Sequence, residues 1–387
     1  MINRKIATKV LELSTKYPII VVTGPRQSGK STLVKTLFPN KPYISLEDPD
    51  VRLFAEIDPR TFLSNYPDGA ILDEVQRVPE LFSYLQTIVD ASDKVGMFIL
   101  SGSQNFLLME KITQSLAGRV ALFKLLPFSY SEIQHTEFEQ NFINELIFKG
   151  LYPRLYDKNI NPIDFYPNYI QTYLERDVKT LKNVSDLSLF TKFLKLCAAR
   201  IGTVLNYSSL ANDCGVAVNT IKSWISVLEA SYVLYLLPPH FENFNKRLTK
   251  SPKMYFYDTG LACSLLNIQE VEQVESHYLR GGLFENLVLT EILKFHYNQG
   301  KEALCYFWQD HIGKEVDILV ETPNLLKVFE VKSSMTMSKD FFKNLKYWKS
   351  LANEKVQSSE YVIYAGTQRM KTQSGEFIRL EDLEGVL

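Results

Sequence analysis

Short apolar runs alternate with amphipathic stretches through the first third of the chain. Pro18-Ile-Ile-Val-Val-Thr23 is continuous enough to predict a strand buried on both faces, and Tyr43–Leu46, Gly69–Asp73 and Met97–Ser101 predict three more. Between them, Lys30–Phe38 and Leu81–Ala91 carry the 3.6-residue period of helices. Strands alternating with helices imply a parallel sheet covered on both faces. From about Phe128 the period turns helical and stays so through Asp164–Lys182 and Ser188–Arg200, with no strand expected before the 230s. Tyr207–Ala230 then predicts two helices around Asp213-Cys-Gly-Val216, followed by strands at Tyr232–Leu237 and Lys253–Tyr257. Helix, turn, helix, hairpin is the order of a winged helix, at about 205–260. The last third predicts a helix over Leu283–His296, strands at Leu304–Trp308, Glu315–Val320, Lys327–Lys332 and Tyr361–Ala365, and a helix over Asp340–Leu351. The chain is therefore read as α/β in three parts: 1–135, a helical middle at 136–269, and 270–387.

Composition narrows the class. With 387 residues, 45% hydrophobic, 22% charged and a net charge of −1, the chain can bury several cores, and whole-chain disorder is excluded. No apolar run approaches the ~18 residues that span a bilayer. The mixed-charge segment Met1–Lys16 offers no signal-peptide core, so a cytoplasmic protein without membrane contact is expected. Cys197, Cys214, Cys263 and Cys305 lack any CxxC spacing, which points to small buried hydrophobes and away from zinc or disulfides. Basic against acidic side chains number 16 to 17 over residues 1–150, 13 to 9 over 151–269, and 14 to 18 over 270–387. Only the middle part leans toward a polyanion, and only mildly.

The strongest chemistry lies just after the first strand. Gly24-Pro25-Arg26-Gln27-Ser28-Gly29-Lys30-Ser31 satisfies G-x-x-x-x-G-K-[ST] at every fixed position, between a predicted strand and a helix continuing through Thr32. Glycines let loop N–H groups and the helix N-terminus wrap a triphosphate that side chains would block. Lys30 supplies a cation to the β- and γ-phosphates of ATP, and Ser31 a hydroxyl to Mg²⁺. Ala70-Ile-Leu-Asp73-Glu74, 43 residues after Lys30, ends an apolar strand in two carboxylates. Asp73 is placed to orient Mg²⁺ and Glu74 to polarise the attacking water as general base. Ser103 or Gln104, after the next strand, reads as a γ-phosphate sensor or equally as a polar helix cap. Arg119 reads as an arginine finger reaching a neighbouring copy's nucleotide or as a salt-bridged surface residue.

Here the chain resembles a family. Thr23-Gly-Pro-Arg-Gln-Ser-Gly-Lys-Ser31, Leu72-Asp-Glu-Val-Gln76, Ser101-Gly-Ser103, Leu116-Ala-Gly-Arg119 and Leu126-Pro-Phe-Ser129 are similar to prokaryotic AAA+-type ATPases that carry a C-terminal domain of unknown function. Tyr173-Leu-Glu-Arg-Asp177, Tyr257-Asp-Thr-Gly260, Leu283-Phe-Glu-Asn286 and Glu330-Val-Lys-Ser333 resemble that C-terminal portion. The resemblance spans nearly the whole chain. It implies a P-loop ATPase core, a helical and winged-helix middle and a restriction-endonuclease-like α/β end. Assembly into a homo-oligomer is a separate expectation, tied to the reading of Arg119 as a finger. One departure is Gly150-Leu-Tyr-Pro153, which stands where paired glycines are expected.

In the middle part, Ile221, Ile225 and Leu228 form the buried stripe of the second helix, leaving Asn219 and Lys222 nearly alone as groups able to read bases. The segment Asn243–Lys253, with Lys246, Arg247, Lys250 and Lys253 and no acid, is a candidate phosphate contact; a solvated hairpin tip is the other reading. Arg176 and Asp177 read as structural ion-pairing residues, the favoured role, or as placing Arg176 against nucleotide across an interface.

In the last part Glu285 lies on a helical stripe with Val288, Leu289 and Ile292, an odd place for a carboxylate unless it faces a polar centre. Asp317 interrupts an apolar strand, and alternation puts Glu330 and Lys332 on one face of the next. The set resembles the PD-(D/E)XK nuclease core. That resemblance implies that Asp317 and Glu330 bind Mg²⁺, that Lys332 acts on water, and that Glu285 completes the acidic cluster, with DNA or RNA as candidate partner. Two functions stand: an ATP-hydrolysing switch controlling a nuclease-like domain, or an ATP-dependent signalling or assembly scaffold whose C-terminal domain is inactive and only binds.

Overall fold

The computed structural model describes residues 2–103, 115–140, 142–174, 187–240, 251–352 and 356–387. They form two compact units: Met1–Phe128 with Ala230–Tyr232 and His296–Lys301, and Ser129–Glu229 with Val233–Phe295 and Glu302–Leu387.

The first unit is built on a parallel sheet. Its strands β1 (Ile19–Thr23), β2 (Tyr43–Ser45), β3 (Ile71–Asp73), β4 (Phe98–Gly102) and β5 (Val120–Lys124) lie in the order β2-β3-β4-β1-β5. Val21 faces Leu100 on one side and Leu122 on the other, so β1 is central and its five residues are all buried. Alternation sends Ile19 and Val21 into a core with Leu72, Leu100 and Phe82, and Ile20 and Val22 into a second core with Leu33, Val34 and Phe123. The sheet is thus covered on both faces, as the continuous apolar strands require.

Among the described residues this unit also holds the helices α1 (Ile6–Ser14), α2 (Lys30–Leu37), α3 (Pro49–Ile57), α4 (Pro59–Ser64) and α5 (Leu81–Asp90). Three of them, α1, α3 and α4, and the strand β5 extend beyond the elements expected from the periodicity. Asp48 caps α3 and Asp58 caps α4, each followed by proline at the first helical position.

In the second unit, helices Leu187–Ala198, Tyr207–Cys214 and Val218–Ala230 precede an antiparallel pair, β6 (Leu234–Leu237) and β7 (Lys253–Phe256). Gly215, at φ +77°, closes the middle helix in the left-handed region. The helical stretch expected from 164 to 182 is interrupted: Pro162–Tyr169 contains Pro167 and passes into a wide turn over Ile170–Leu174. Its continuation, with Arg176 and Asp177, lies outside the described residues.

A six-stranded mixed sheet follows, ordered β12-β13-β11-β10-β9-β8, from β8 (Cys305–Gln309), β9 (Glu315–Glu321), β10 (Leu326–Lys332), β11 (Ser358–Tyr364), β12 (Met370–Thr372) and β13 (Gly375–Ile378). Strand β10 runs parallel to β11 and antiparallel to β9. Trp308, Trp348, Val328 and Val362 share its core beside the helix Lys343–Leu351. The periodicity did not reveal β12 and β13, whose residues are short and half-polar.

The Gly150 departure has a packing reason. Asp258 caps the helix Thr259–Leu265 and also accepts from the Leu151 N–H at 2.8 Å and the Tyr166 hydroxyl at 2.6 Å. Gly150 has φ +66°, and a Cβ there would lie 2.0 Å from the Tyr166 hydroxyl oxygen. One glycine meets the constraint. All four cysteines are buried and free.

Candidate functional site

The loop after β1 has the form its glycines predict. Gly24 sits at φ +149°, where a Cβ would come within 2.1 Å of the Leu125 carbonyl oxygen, and Gly29 caps α2 at φ +94°. Pro25, Arg26, Gln27 and Ser28 make the turn between them, with Gln27 also left-handed at φ +61°. Ser31 and Thr32 occupy the first turn of α2 behind Lys30. Lys30 is buried and folds back on the loop, donating to the carbonyls of Gly24 at 2.9 Å and Pro25 at 2.7 Å. An ammonium held by two neutral carbonyls is ready to exchange them for phosphate oxygens. The Ser28 hydroxyl is buried and has no hydrogen-bond partner, a group an incoming ligand can satisfy.

Asp73 converges with this loop because β3 lies one strand from β1. Its carboxylate accepts from Ser31 at 2.7 Å, Tyr43 at 2.5 Å and Ser101 at 2.5 Å. Burial and the Asp73 charge hold the Tyr43 hydroxyl protonated, far above its usual range. Glu74, the next residue, is left-handed at φ +56°, and its carboxylate accepts from Gln76 at 2.5 Å and Ser103 at 3.2 Å. Ser103 is therefore brought to Glu74, while Gln104 lies outside the described residues. Loop, Asp73 and Glu74 fit ATP with Mg²⁺, the orphaned Ser28 hydroxyl and the glycine-lined turn being the observations on which the fit rests.

Arg119 lies elsewhere. It precedes β5, at the amino end of a strand whose carboxyl end is level with Thr23, so it is roughly 16 Å along the sheet from its own loop. Its guanidinium grips Asp90 through two bonds of 2.5 and 2.8 Å.

Two contributors escaped the sequence. Tyr43 opens β2, and only its register beside β3 brings the hydroxyl to Asp73. Arg4 donates to the Ser28 carbonyl at 2.8 Å and the Leu126 carbonyl at 2.6 Å, tying the loop to the segment after β5. No local pattern marks it.

The second unit gathers the C-terminal residues. Asn286, on the helix Arg280–Asn298, accepts from the Phe256 N–H at 2.6 Å and donates to the Phe256 carbonyl at 2.8 Å, locking helix to strand β7. Neighbouring Glu285 accepts from the Tyr255 hydroxyl at 2.5 Å and from Lys253 at 3.2 Å. The β9–β10 ladder runs to Ile318 opposite Phe329; beyond it the Asp317 carboxylate takes the Val331 N–H at 2.7 Å. Lys332 stands 2.7 Å from Glu330 and 4.0 Å from Asp317, so Glu330 and Lys332 do share a face. Asn344 donates to Glu330 Oε1 at 3.3 Å, while Glu330 Oε2 is buried without a partner.

Burial, offset in part by Lys253, pushes the Glu285 carboxyl up to about 7, and burial together with Asp317 pushes Glu330 up to about 8. The Lys332 ammonium is held above its usual range: burial opposes this, but Asp317 and Glu330 outweigh it. Among the described residues no three His, Cys, Asp or Glu side chains converge as a metal-binding set. Lys253 corrects the expectation of a basic loop reaching solvent through Lys253, because it is buried in β7. Residues 241–250 lie outside the described residues. Lys222 rests 5.8 Å from the centroid of the Tyr207 ring.

Comparison with known proteins divides the chain into three matches. Residues 16–134 match the family model described as an AAA domain, residues 140–272 a domain of unknown function (DUF8612), and residues 280–383 another (DUF4143). Most of the first unit is thus similar to an AAA domain. An uncharacterized protein of Mycobacterium tuberculosis is 28% identical over 87% of this chain and 75% of its own length. An uncharacterized protein of Methanocaldococcus jannaschii is 23% identical over 90% and 80%. Among solved structures, a Walker-type ATPase of Pyrococcus abyssi shares 15% identity at a TM-score of 0.43, covering 67% of this chain and 94% of that one. AMPPCP-bound DnaA from Aquifex aeolicus shares 15% at 0.31, covering 58% and 86%. Around the AAA domain, no helix among the described residues is long and apolar enough to cross a membrane.

Proposed function

We propose that the chain binds ATP with Mg²⁺ in the loop Gly24–Ser31, hydrolyses it, and uses its nucleotide state to control a C-terminal module of PD-(D/E)XK type that acts on DNA or RNA. The supporting observation is the convergence of Lys30, Ser31 and Asp73 beneath a loop that only glycine can form at Gly24. Mg²⁺-bound ATP supplies an electrophilic γ-phosphorus and a charge to be stabilised. The chain contributes the rest. Lys30 neutralises phosphate charge, Ser31 and Asp73 place the cation side, and Glu74, held by Gln76 and Ser103, takes a proton from water. The helices 187–230 with β6 and β7 form the winged-helix element of this reading. Arg119 acts in it only in an assembly of copies, after leaving Asp90 for a neighbour's nucleotide.

The scaffold reading rests on one specific observation: lysines occupy the C-terminal acidic centre. ATP binding and turnover by the full chain, with Mg²⁺, test the first part. Lys30→Ala is expected to lose most affinity for ATP with an unchanged circular dichroism spectrum; equal binding by this variant would remove the loop from the nucleotide site. Incubation with Mg²⁺ or Mn²⁺ and a panel of DNA and RNA forms separates the two readings, cleavage lost in Asp317→Ala favouring the first.

A further inference from the structure

Half of the Gln76 amide has no use within the folded chain. Its Nε2 donates to Glu74 Oε2 at 2.5 Å, and because a carboxylate only accepts, that contact fixes which end of the amide is nitrogen. The other end, Oε1, is a carbonyl acceptor, buried without a hydrogen-bond partner on a side chain only 7% exposed. A buried acceptor with no donor among the described residues is a place for a hydrogen from outside the chain, and water is the smallest carrier of one.

The turn after β3 creates this pairing. Glu74 leaves the strand in the left-handed region at φ +56°, a conformation that costs a residue with a side chain, and a tight turn over Val75–Arg77 follows at once. Val75 is fully buried and anchors the turn, so the Gln76 amide lies against the carboxylate two residues before it. Ser103, also buried, donates to the same Glu74 oxygen at 3.2 Å. Both donors occupy Oε2, which leaves Oε1 for the proton that a general base must take. A water attacking phosphorus turns its lone pair to the electrophile and has two hydrogens to place.

We infer that the Gln76 carbonyl oxygen holds the second hydrogen of the attacking water, which makes Gln76 a catalytic residue beside Glu74. The inference rests on the reading of the loop Gly24–Ser31 as a site of ATP hydrolysis. The water oxygen bonds to the γ-phosphorus as the bond to the β–γ bridging oxygen breaks, and ADP leaves with that electron pair. Glu74 takes one proton and later releases it to solvent, while the hydrogen held by Gln76 stays on the phosphate product. Without the second acceptor, the base meets a water free to turn away from the phosphorus.

The probes are ATP, and ADP with aluminium fluoride as a mimic of the phosphoryl group in transfer, each with Mg²⁺ and the full-length protein. Gln76→Met keeps an unbranched side chain of similar length and removes the acceptor along with the donor. It is expected to bind ATP within about twofold of wild type, to bind ADP with aluminium fluoride at least about tenfold more weakly, and to hydrolyse ATP in a single turnover at least about tenfold more slowly. Added to Glu74→Gln, it is expected to slow turnover by less than about threefold more, because both residues act on one water. Gln76→Lys restores a donor to Glu74 without an acceptor and is expected to stay slow. Faster turnover by Gln76→Met, or recovery in Gln76→Lys, would overturn the inference by showing that the amide serves only to restrain or hold Glu74. An equal loss of affinity for both probes, or a full tenfold loss on top of Glu74→Gln, would overturn it in favour of a structural role. Wild-type protein that binds ATP and never hydrolyses it would instead bring down the hydrolysis reading, and the inference with it. Should Gln76→Met fail to fold, Gln76→Leu takes the same measurements.

Discussion

At the residue scale, Glu74 shows how two neighbouring acids acquire different work. Asp73 is saturated by three hydroxyls, whereas Glu74 turns out of the strand at positive φ and is held by one amide and one hydroxyl. Glu74→Gln is expected to bind ATP as the wild type does and to turn it over at least ~100-fold more slowly, the loss typical of a removed general base. Single-turnover hydrolysis beside a binding isotherm checks both halves. A second residue gives a pH signature. Glu229 is half-buried on Val218–Ala230, and burial pushes its carboxyl up to about 7. The folded state therefore favours the protonated form; the associated stability is complete below the unfolded value near 4.5 and is lost as pH rises through about 7. Glu229→Gln is expected to raise stability at pH 8 by about 1 kcal/mol, discounted for partial exposure, and to change little at pH 4.5. Denaturant titrations at the two pH values decide it.

At the element scale, the legible parts were those whose signal is local. Strand β1 is a run of five buried residues, and its glycine loop follows without a gap, so Gly24–Ser31 and the strand ending in Asp73 stood out before any packing was known. The helices α3 and α4 had a readable mark too, since Asp48-Pro49 and Asp58-Pro59 are each an N-cap followed by a proline suited to the first helical turn. Strand β5 hides because it alternates buried with half-buried positions over only five residues. The C-terminal centre was half legible: Glu285, Asp317, Glu330 and Lys332 break apolar patterns, but Lys253 looks like the end of a basic loop until β7 carries it inward. Close approach is equally invisible in sequence at Gly150. Gly150→Ala combines an unfavourable φ with a collision against Tyr166 and Asp258, and is expected to lower stability by at least about 2 kcal/mol, read as a fall in Tm.

At the scale of the whole molecule, the family-model borders and the physical units do not coincide. The AAA match begins at residue 16, yet α1 buries Ile6 and Val10 in the core of the first unit, and Arg4 ties the loop after β1. A chain of residues 16–134 is expected to be less soluble and to melt lower than one of residues 1–134. Parallel expression with thermal melts of whatever is recovered tests this. Neither fragment contains all of the unit, because Tyr232, whose hydroxyl lies 2.8 Å from Thr23 Oγ1, and Tyr297, whose ring lies 4.9 Å from the Lys124 ammonium, come from far along the chain.

That discontinuity sets a timetable for the newborn protein. The first unit includes residues 296–301, so on the ribosome it cannot close when residue 128 emerges and must wait for some of the last-made third. At ordinary synthesis rates the delay is roughly ten to thirty-five seconds. During it, the parallel sheet of the first unit stands beside an unfinished chain, and until residue 232 is made Thr23 lacks its tyrosine partner. Every nascent copy therefore passes that interval with its first unit incomplete, and the second unit must be largely synthesised before the first is whole.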